Sequence, residues 1–266
     1  MRPSRALLAG AVFSAACFDA TGVVLQSGSD AALDGTSEGA EAGAPPSVRL
    51  AYVSGDAGAL VFCATAVGAS TPALVVSGVA QLQVTAPSPL EAGTYDLAVA
   101  ASPETSCALP LAEALDQPLV AGAHTVALLG DPEPADGGLS AHPLTMTVLD
   151  DDPPRASGAA LRPLDVASKE AALSLSLDDG GATPLSYGSL VSQGASPNGY
   201  VPLGAGAHEL TLAWGGSDSF ALAAASGGLY SLFAFDVTSI TPQGAVKALV
   251  CDDRSFDAGF TSCTLP

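Results

Sequence analysis

Positive charge is what this sequence has least of. Eight lysines and arginines stand against 27 aspartates and glutamates, for a formal net charge of −19. A field of that sign repels phosphate backbones and anionic lipid headgroups, so nucleic acid is not an expected partner. Aromatic residues reach only 5%, with a single tryptophan, and no apolar run is long enough to span a bilayer as a helix. Histidines number three: His124, His142 and His208. His208-Glu209 has no second histidine at metalloprotease spacing, and no Gly-x-Ser-x-Gly elbow, phosphate-cradling glycine loop or Cys-x-x-Cys pair occurs. The expectation is a protein that is not an enzyme, with no catalytic residues, no metal and no cofactor. His124 and His208 fall in expected strands, where a satisfied core or rim histidine is the plain reading.

Glycine and proline, by contrast, are plentiful at 29 and 20. They punctuate short apolar runs, which favours all-β structure over helix bundles. One such stretch is written twice. Residues 89–100 and 202–213 match at six of twelve positions, Pro89/Pro202, Leu90/Leu203, Ala92/Ala205, Gly93/Gly206, Leu97/Leu210 and Ala100/Ala213. The offset of 113 residues also sets Val48-Arg49 on Leu161-Arg162, Leu60 on Leu173 and Phe62 on Leu175. An ungapped match over that distance is a repeat at domain scale.

Within each copy, a proline and a glycine lead into strict alternation. Tyr95, Leu97 and Val99 share one face, as do His208, Leu210, Leu212 and Trp214, with Asp96 and Glu209 on the other. Period two with the acids on one side is the pattern of a half-buried antiparallel strand. Tyr95 or His208, soon after the turn, fits either a tyrosine-corner position or an ordinary core aromatic. The expected domains are 47–152 and 158–253, each an antiparallel β-sandwich. Tyr187 to Asn198 reads as a surface loop and 254–266 as a C-terminal tail.

The N-terminus reads as an address. Arg2 and Arg5 precede the apolar run Ala6 to Phe13, then Ser14-Ala15-Ala16-Cys17, which makes residues 1–16 an expected signal peptide. Ser14-Ala15-Ala16-Cys17 resembles a bacterial lipobox, with Ser14 where leucine is preferred, and implies lipidation at Cys17. Plain cleavage after Ala16 also satisfies the spacing of small residues. Phe18 follows, so the Asp that marks inner-membrane retention is absent from the position after Cys17, which points to the outer membrane. Residues 17–46 are rich in acids and small residues and read as a flexible linker with a reach of roughly 30 Å.

Four more cysteines remain in a chain expected to enter an oxidising compartment: Cys63, Cys107, Cys251 and Cys263. Disulfides are their default fate, and three pairings are open. The expected one is Cys63 with Cys107 inside the first copy and Cys251 with Cys263 across the tail.

The order of elements resembles the domain of unknown function 4397 family. The likeness rests on the opening Val48-Arg49-Leu50 strand, the Ala92-Gly93-Thr94-Tyr95 turn, the strand from Val120 to Gly130 and the closing Leu149-Asp150-Asp151. It covers about 46–253. It implies Ig-like β-sandwich modules, often in tandem, of bacterial envelope lipoproteins; both copies depart from the family's opening motif. The resemblance carries no activity. The expected protein is a non-enzymatic, surface-tethered envelope lipoprotein, held to the membrane by its lipid and meeting protein or glycan partners at the cell surface. The competing reading is a carbohydrate- or calcium-dependent binding protein, with Trp214 or Tyr200 as its aromatic platform. Its acids would come from Asp150-Asp151-Asp152, Asp178-Asp179 and Asp252-Asp253, which otherwise read as solvated turn acids.

Overall fold

The computed structural model describes residues 45–53, 55, 57–104, 107–131, 142–151, 158–168, 172–192, 195–237 and 245–266. The signal peptide, Cys17 and nearly all of the linker lie outside the described residues. Among the described residues there is no helix.

The first sandwich holds β1 (Ser47–Tyr52), β2 (Leu60–Ala66), β3 (Leu74–Val79), β4 (Gln83–Val84), β5 (Ser88–Pro89), β6 (Gly93–Ala101), β7 (Ala112–Leu119), β8 (Ala123–Leu129) and β9 (Thr145–Asp150). The second holds β10 (Ala159–Asp165), β11 (Leu173–Leu177), β12 (Thr183–Leu185), β13 (Val201–Leu203), β14 (Gly206–Ala213), β15 (Ser217–Ala224), β16 (Leu229–Val237), β17 (Ala245–Asp257) and β18 (Phe260–Thr264). Each sandwich pairs two sheets: β4-β1-β8-β9, with β5 also on β1, faces β3-β2-β6-β7, and β13-β10-β16-β17-β18 faces β12-β11-β14-β15.

The plan repeats in register as well as in order. Phe62 lies opposite Val99, and Leu175 lies opposite Leu212, the residue 113 places beyond Val99. The first strand of each copy runs parallel to its neighbour, β1 to β8 and β10 to β16. That parallel pair departs from the wholly antiparallel expectation; the remaining ladders are antiparallel.

The aromatic after each repeated turn takes the corner position. Tyr95 donates its hydroxyl to the Glu91 carbonyl at 2.9 Å, and His208 Nε2 meets the equivalent Gly204 carbonyl at 2.9 Å. His124 does the same with Val120 at 3.0 Å. In all three a ring bonds back four residues and ties the strand to its own turn.

Alternation explains why some strands are buried on both faces. Val48, Leu50 and Tyr52 of β1 join the first sandwich core with Phe62, Leu97 and Val126. Leu161 of β10 joins the second core with Leu175, Leu212 and Leu232. The opposite faces meet each other: Ala51, Ala127, Leu129, Leu149, Leu164, Phe233, Phe235 and Leu249 form a third apolar layer. A strand between two apolar layers reads as a near-continuous hydrophobic run, which is what β1, β8, β10 and β16 show. The two copies are therefore fused across a shared core rather than strung as separate beads.

Two boundaries differ from expectation. Pro46, assigned to the linker, is buried, and its carbonyl accepts the Leu90 N–H at 2.8 Å. The segment 254–266 is no loose tail: it finishes β17 and returns as β18, which reaches the first sandwich through a Thr85–Phe260 bridge and an Ala86 N–H to the Gly259 carbonyl. The described part of the stretch expected as a surface loop is irregular, as read, and it also lies on β10, bridging Leu164 to Leu190 and Asp165 to Tyr187, with Val191 buried. Its apolar side chains have two sandwiches to cover, and that is a tertiary cause.

Candidate functional site

On the faces that meet, each copy contributes one arginine, one carboxylate and at least one hydroxyl. Parallel pairing puts Arg49 beside Thr125 and Arg162 beside Ser231. Asp151 directly follows β9, and Asp253 lies within β17. Each arginine then reaches the other copy's acid: Arg49 Nη2 to Asp253 Oδ1 at 2.8 Å, and Arg162 Nη2 to Asp151 Oδ1 at 2.7 Å. Arg49 Nε also lies 3.3 Å from Asp151 Oδ2. The side chains of Arg49, Arg162, Asp151 and Asp253 are 1%, 1%, 8% and 4% exposed, so water does not satisfy them.

Hydroxyls complete the set. Thr125 donates to Asp151, while Ser231 and Tyr200 donate to Asp253 Oδ2 at 2.8 and 3.2 Å. The Arg162 guanidinium stands 4.8 Å over the Tyr200 ring, a cation–π arrangement. Two cations balance two anions. Burial opposes the charge on Arg162, but the carboxylates of Asp151 and Asp253, with Tyr200, outweigh it and hold its pKa above the ordinary value. Burial pushes the Asp253 carboxyl up, against the pull of Arg49 and Arg162. It likewise raises the Tyr200 hydroxyl, leaving that group a donor.

These positions correct two expectations. Asp151 and Asp253 are buried ion-pair partners rather than solvated turn acids, because strands β1 and β10 carry arginine on an otherwise apolar face. Tyr200 is fully buried under Arg162 and offers no platform to a sugar. Trp214 packs against the second core. Among the described residues no group of three or more His, Cys, Asp or Glu side chains converges as metal ligands.

A second polar cluster sits at another part of the same interface. Gly130, with φ +85°, lies so close under Pro143 that a Cβ there would collide with the Pro143 carbonyl. That approach sets Asp131 and His142 of the first sandwich against the second. Ser168 Oγ lies 2.8 Å from Asp131 Oδ2 and 3.2 Å from Asp236 Oδ2, and His142 stacks on Tyr187 with centroids 4.3 Å apart. Burial pushes Asp165 up to about 6, against the Ala167 N–H it accepts and with help from Asp236; burial and the same acids raise Tyr187 to about 12.

The sign for Asp165 follows from linkage. The folded state holds a proton that the unfolded chain has already lost, so this group's contribution falls as pH rises from about 4 to about 6. Asp165→Asn, which still accepts the Ala167 N–H, is expected to melt above wild type at pH 8, with the gap closing by pH 4. Thermal scans across that range check it; a variant-to-wild-type gap no larger at pH 8 than at pH 4 contradicts the assignment.

Both ring nitrogens of the two histidines carried on strands, His124 and His208, are engaged. His208 Nδ1 meets Asp178 Oδ2 at 2.9 Å and its Nε2 meets Gly204; His124 Nδ1 meets Asp150 at 2.9 Å and its Nε2 meets Val120. With both ring nitrogens engaged, none is left for a substrate proton. The Asp178 hydrogen bond, then the Gly204 carbonyl, raise His208 above its ordinary value; the His208 bond, then the Glu209 N–H, lower Asp178. An NMR titration is expected to find His208 above 6.5, falling towards it in Asp178→Asn; no movement in that variant removes the pairing as the cause.

The cysteines pair as expected: Cys63 with Cys107, 44 residues apart, and Cys251 with Cys263, 12 apart. A search against models of known protein families and a search of curated proteins both found no match.

Proposed function

We propose that this chain is an exported envelope lipoprotein whose fused sandwich pair is a non-enzymatic structural, adhesion or protein-contact module. The observation that carries the reading is the interlocked interface, in which each copy's arginine is neutralised by the other copy's acid. Two sandwiches so joined form one stiff body, suited to holding a contact surface at a fixed spacing. The Ser14-Ala15-Ala16-Cys17 motif and the acidic 17–46 stretch supply the anchor and the spacer. The resemblance to the domain of unknown function 4397 family supports the same setting. A partner would be a protein or glycan met outside the cytoplasm, and the outer membrane is the favoured attachment.

The test is a Cys17→Ser variant followed by labelled-palmitate incorporation and membrane fractionation. Wild type is expected labelled and membrane-bound, and the variant unlabelled. Wild type found in the cytosol with Met1 retained overturns the location. A screen of ester, glycoside and peptide substrates on the purified protein is expected to show no turnover; sustained hydrolysis overturns the non-enzymatic part.

A further inference from the structure

We propose that the second sandwich is a receptor for a single-chain, uncharged amphiphile, its alkyl tail lodged between the sheets and its hydroxylated head on the rim of β12. A cavity of about 230 Å³ opens there. Its floor is Leu161, Leu175, Leu185, Val191 and Leu203, all buried, and its mouth is the exposed Gly180-Gly181 turn with Thr183. Interiors are normally close-packed, and an apolar cavity of about 150 Å³ already accepts a benzene ring. This one has room for more.

The internal repeat explains why the hollow exists in this copy. Phe62, fully buried in the first sandwich, occupies the register position of Leu175, so the second core lacks a ring at the same place. The edge strand that covers it has shrunk as well: β3 spans six residues beside β2, whereas β12 spans three beside β11. The β11–β12 turn carries two glycines, Gly180 and Gly181, with no side chains to close the gap. Space of this kind forfeits dispersion contacts unless something apolar fills it.

The chemistry of the walls selects the guest. None of the residues lining the cavity carries a charge, and Thr183 is its only hydroxyl. A second hollow of about 180 Å³ shares Thr183 and Val191 with it and adds Ser186 and Ser192, again without a charged side chain. A chain in the first hollow thus places its head among three hydroxyls. Asp178 and Asp179 precede the mouth in a chain of net charge −19, and no lysine or arginine is among the residues lining either hollow, so a carboxylate head finds no cationic partner in them. A neutral polyol or sugar head is the match, and a fatty-acid anion is disfavoured. This site is independent of how the protein is anchored.

The test uses the purified protein with octyl glucoside and octanoate, each below its micelle-forming concentration, read by calorimetry and by methyl NMR shifts of Leu175, Leu185, Val191 and Leu203. Octyl glucoside is expected to bind one-to-one and at least tenfold more tightly than octanoate, moving those methyl signals. Leu175→Phe, which restores the ring of the first copy, is expected to weaken binding at least tenfold. Should that variant fail to fold, Gly181→Trp decides: a Cβ at Gly181 meets nothing within 4 Å, so the indole is tolerated and stands across the mouth. No saturable binding, equal affinity for octanoate, or full affinity in the folded variants each overturns the proposal.

Discussion

Arg162→Met is expected to cost about 3–5 kcal/mol in urea unfolding, the range for removing one partner of a buried ion pair. Methionine keeps most of the volume over Tyr200 but leaves two carboxylates facing one guanidinium. Asp151 and Asp253 lie in side chains 8% and 4% exposed, where stranded charge has no water to turn to. A second change separates charge from packing. Arg162→Met with Asp151→Asn restores neutrality and is expected to recover a large part of the loss, through a coupling of about 2 kcal/mol. Losses that simply add, or a single variant within about 1 kcal/mol of wild type, would falsify the network reading.

The directionality of the crossed pairs sets what the network is for. An apolar layer such as Ala51, Leu129, Leu164 and Phe233 is non-directional, and it holds two sheets together without dictating how they are rotated or slid. Crossed Arg–Asp pairs tolerate one alignment only. Replacing all four charged residues by apolar ones of similar volume is expected to leave stability near wild type. The stiffness proposed for this pair of sandwiches thus depends on groups that add little net stability.

How far the residues foretold this can be seen element by element. The β6 and β14 strands were legible because glycine and proline mark their starts and period two runs unbroken behind them. The corner bond of Tyr95 was one of two open readings. Strand β7 was not legible: Asp116 takes φ +53° and Pro118 cannot donate to a ladder, so the edge strand has no clean alternation. The buried network left a signal that could have been used, an arginine repeated at one place in two apolar strands and an acid pair repeated at both closing strands. Its meaning was hidden because Arg49 finds its partner 204 residues away in the other copy. Local pattern reports which face a residue takes, but not what the neighbouring domain lays against that face.

The Cys63–Cys107 bridge is where the other large effect is expected. It ties β2 to the segment before β7 on the outer face of its sheet, among Val61, Ala98 and Ala100 rather than inside the sandwich core. Removing it therefore opens little of the main core, and the cost comes mainly from the freed unfolded chain. For 44 residues that is about 4 kcal/mol, and for the 12 between Cys251 and Cys263 about 3 kcal/mol. Strand β18 also keeps its ladder with β17 when its bridge is gone, which limits the second loss further. Double alanine variants at each bridge, compared by urea midpoint at constant slope, are expected to rank Cys63/Cys107 as the more damaging. The reverse order means that the C-terminal hairpin, pressed between the two copies at Thr85 and Thr261, carries more of the interface than its hydrogen bonds indicate.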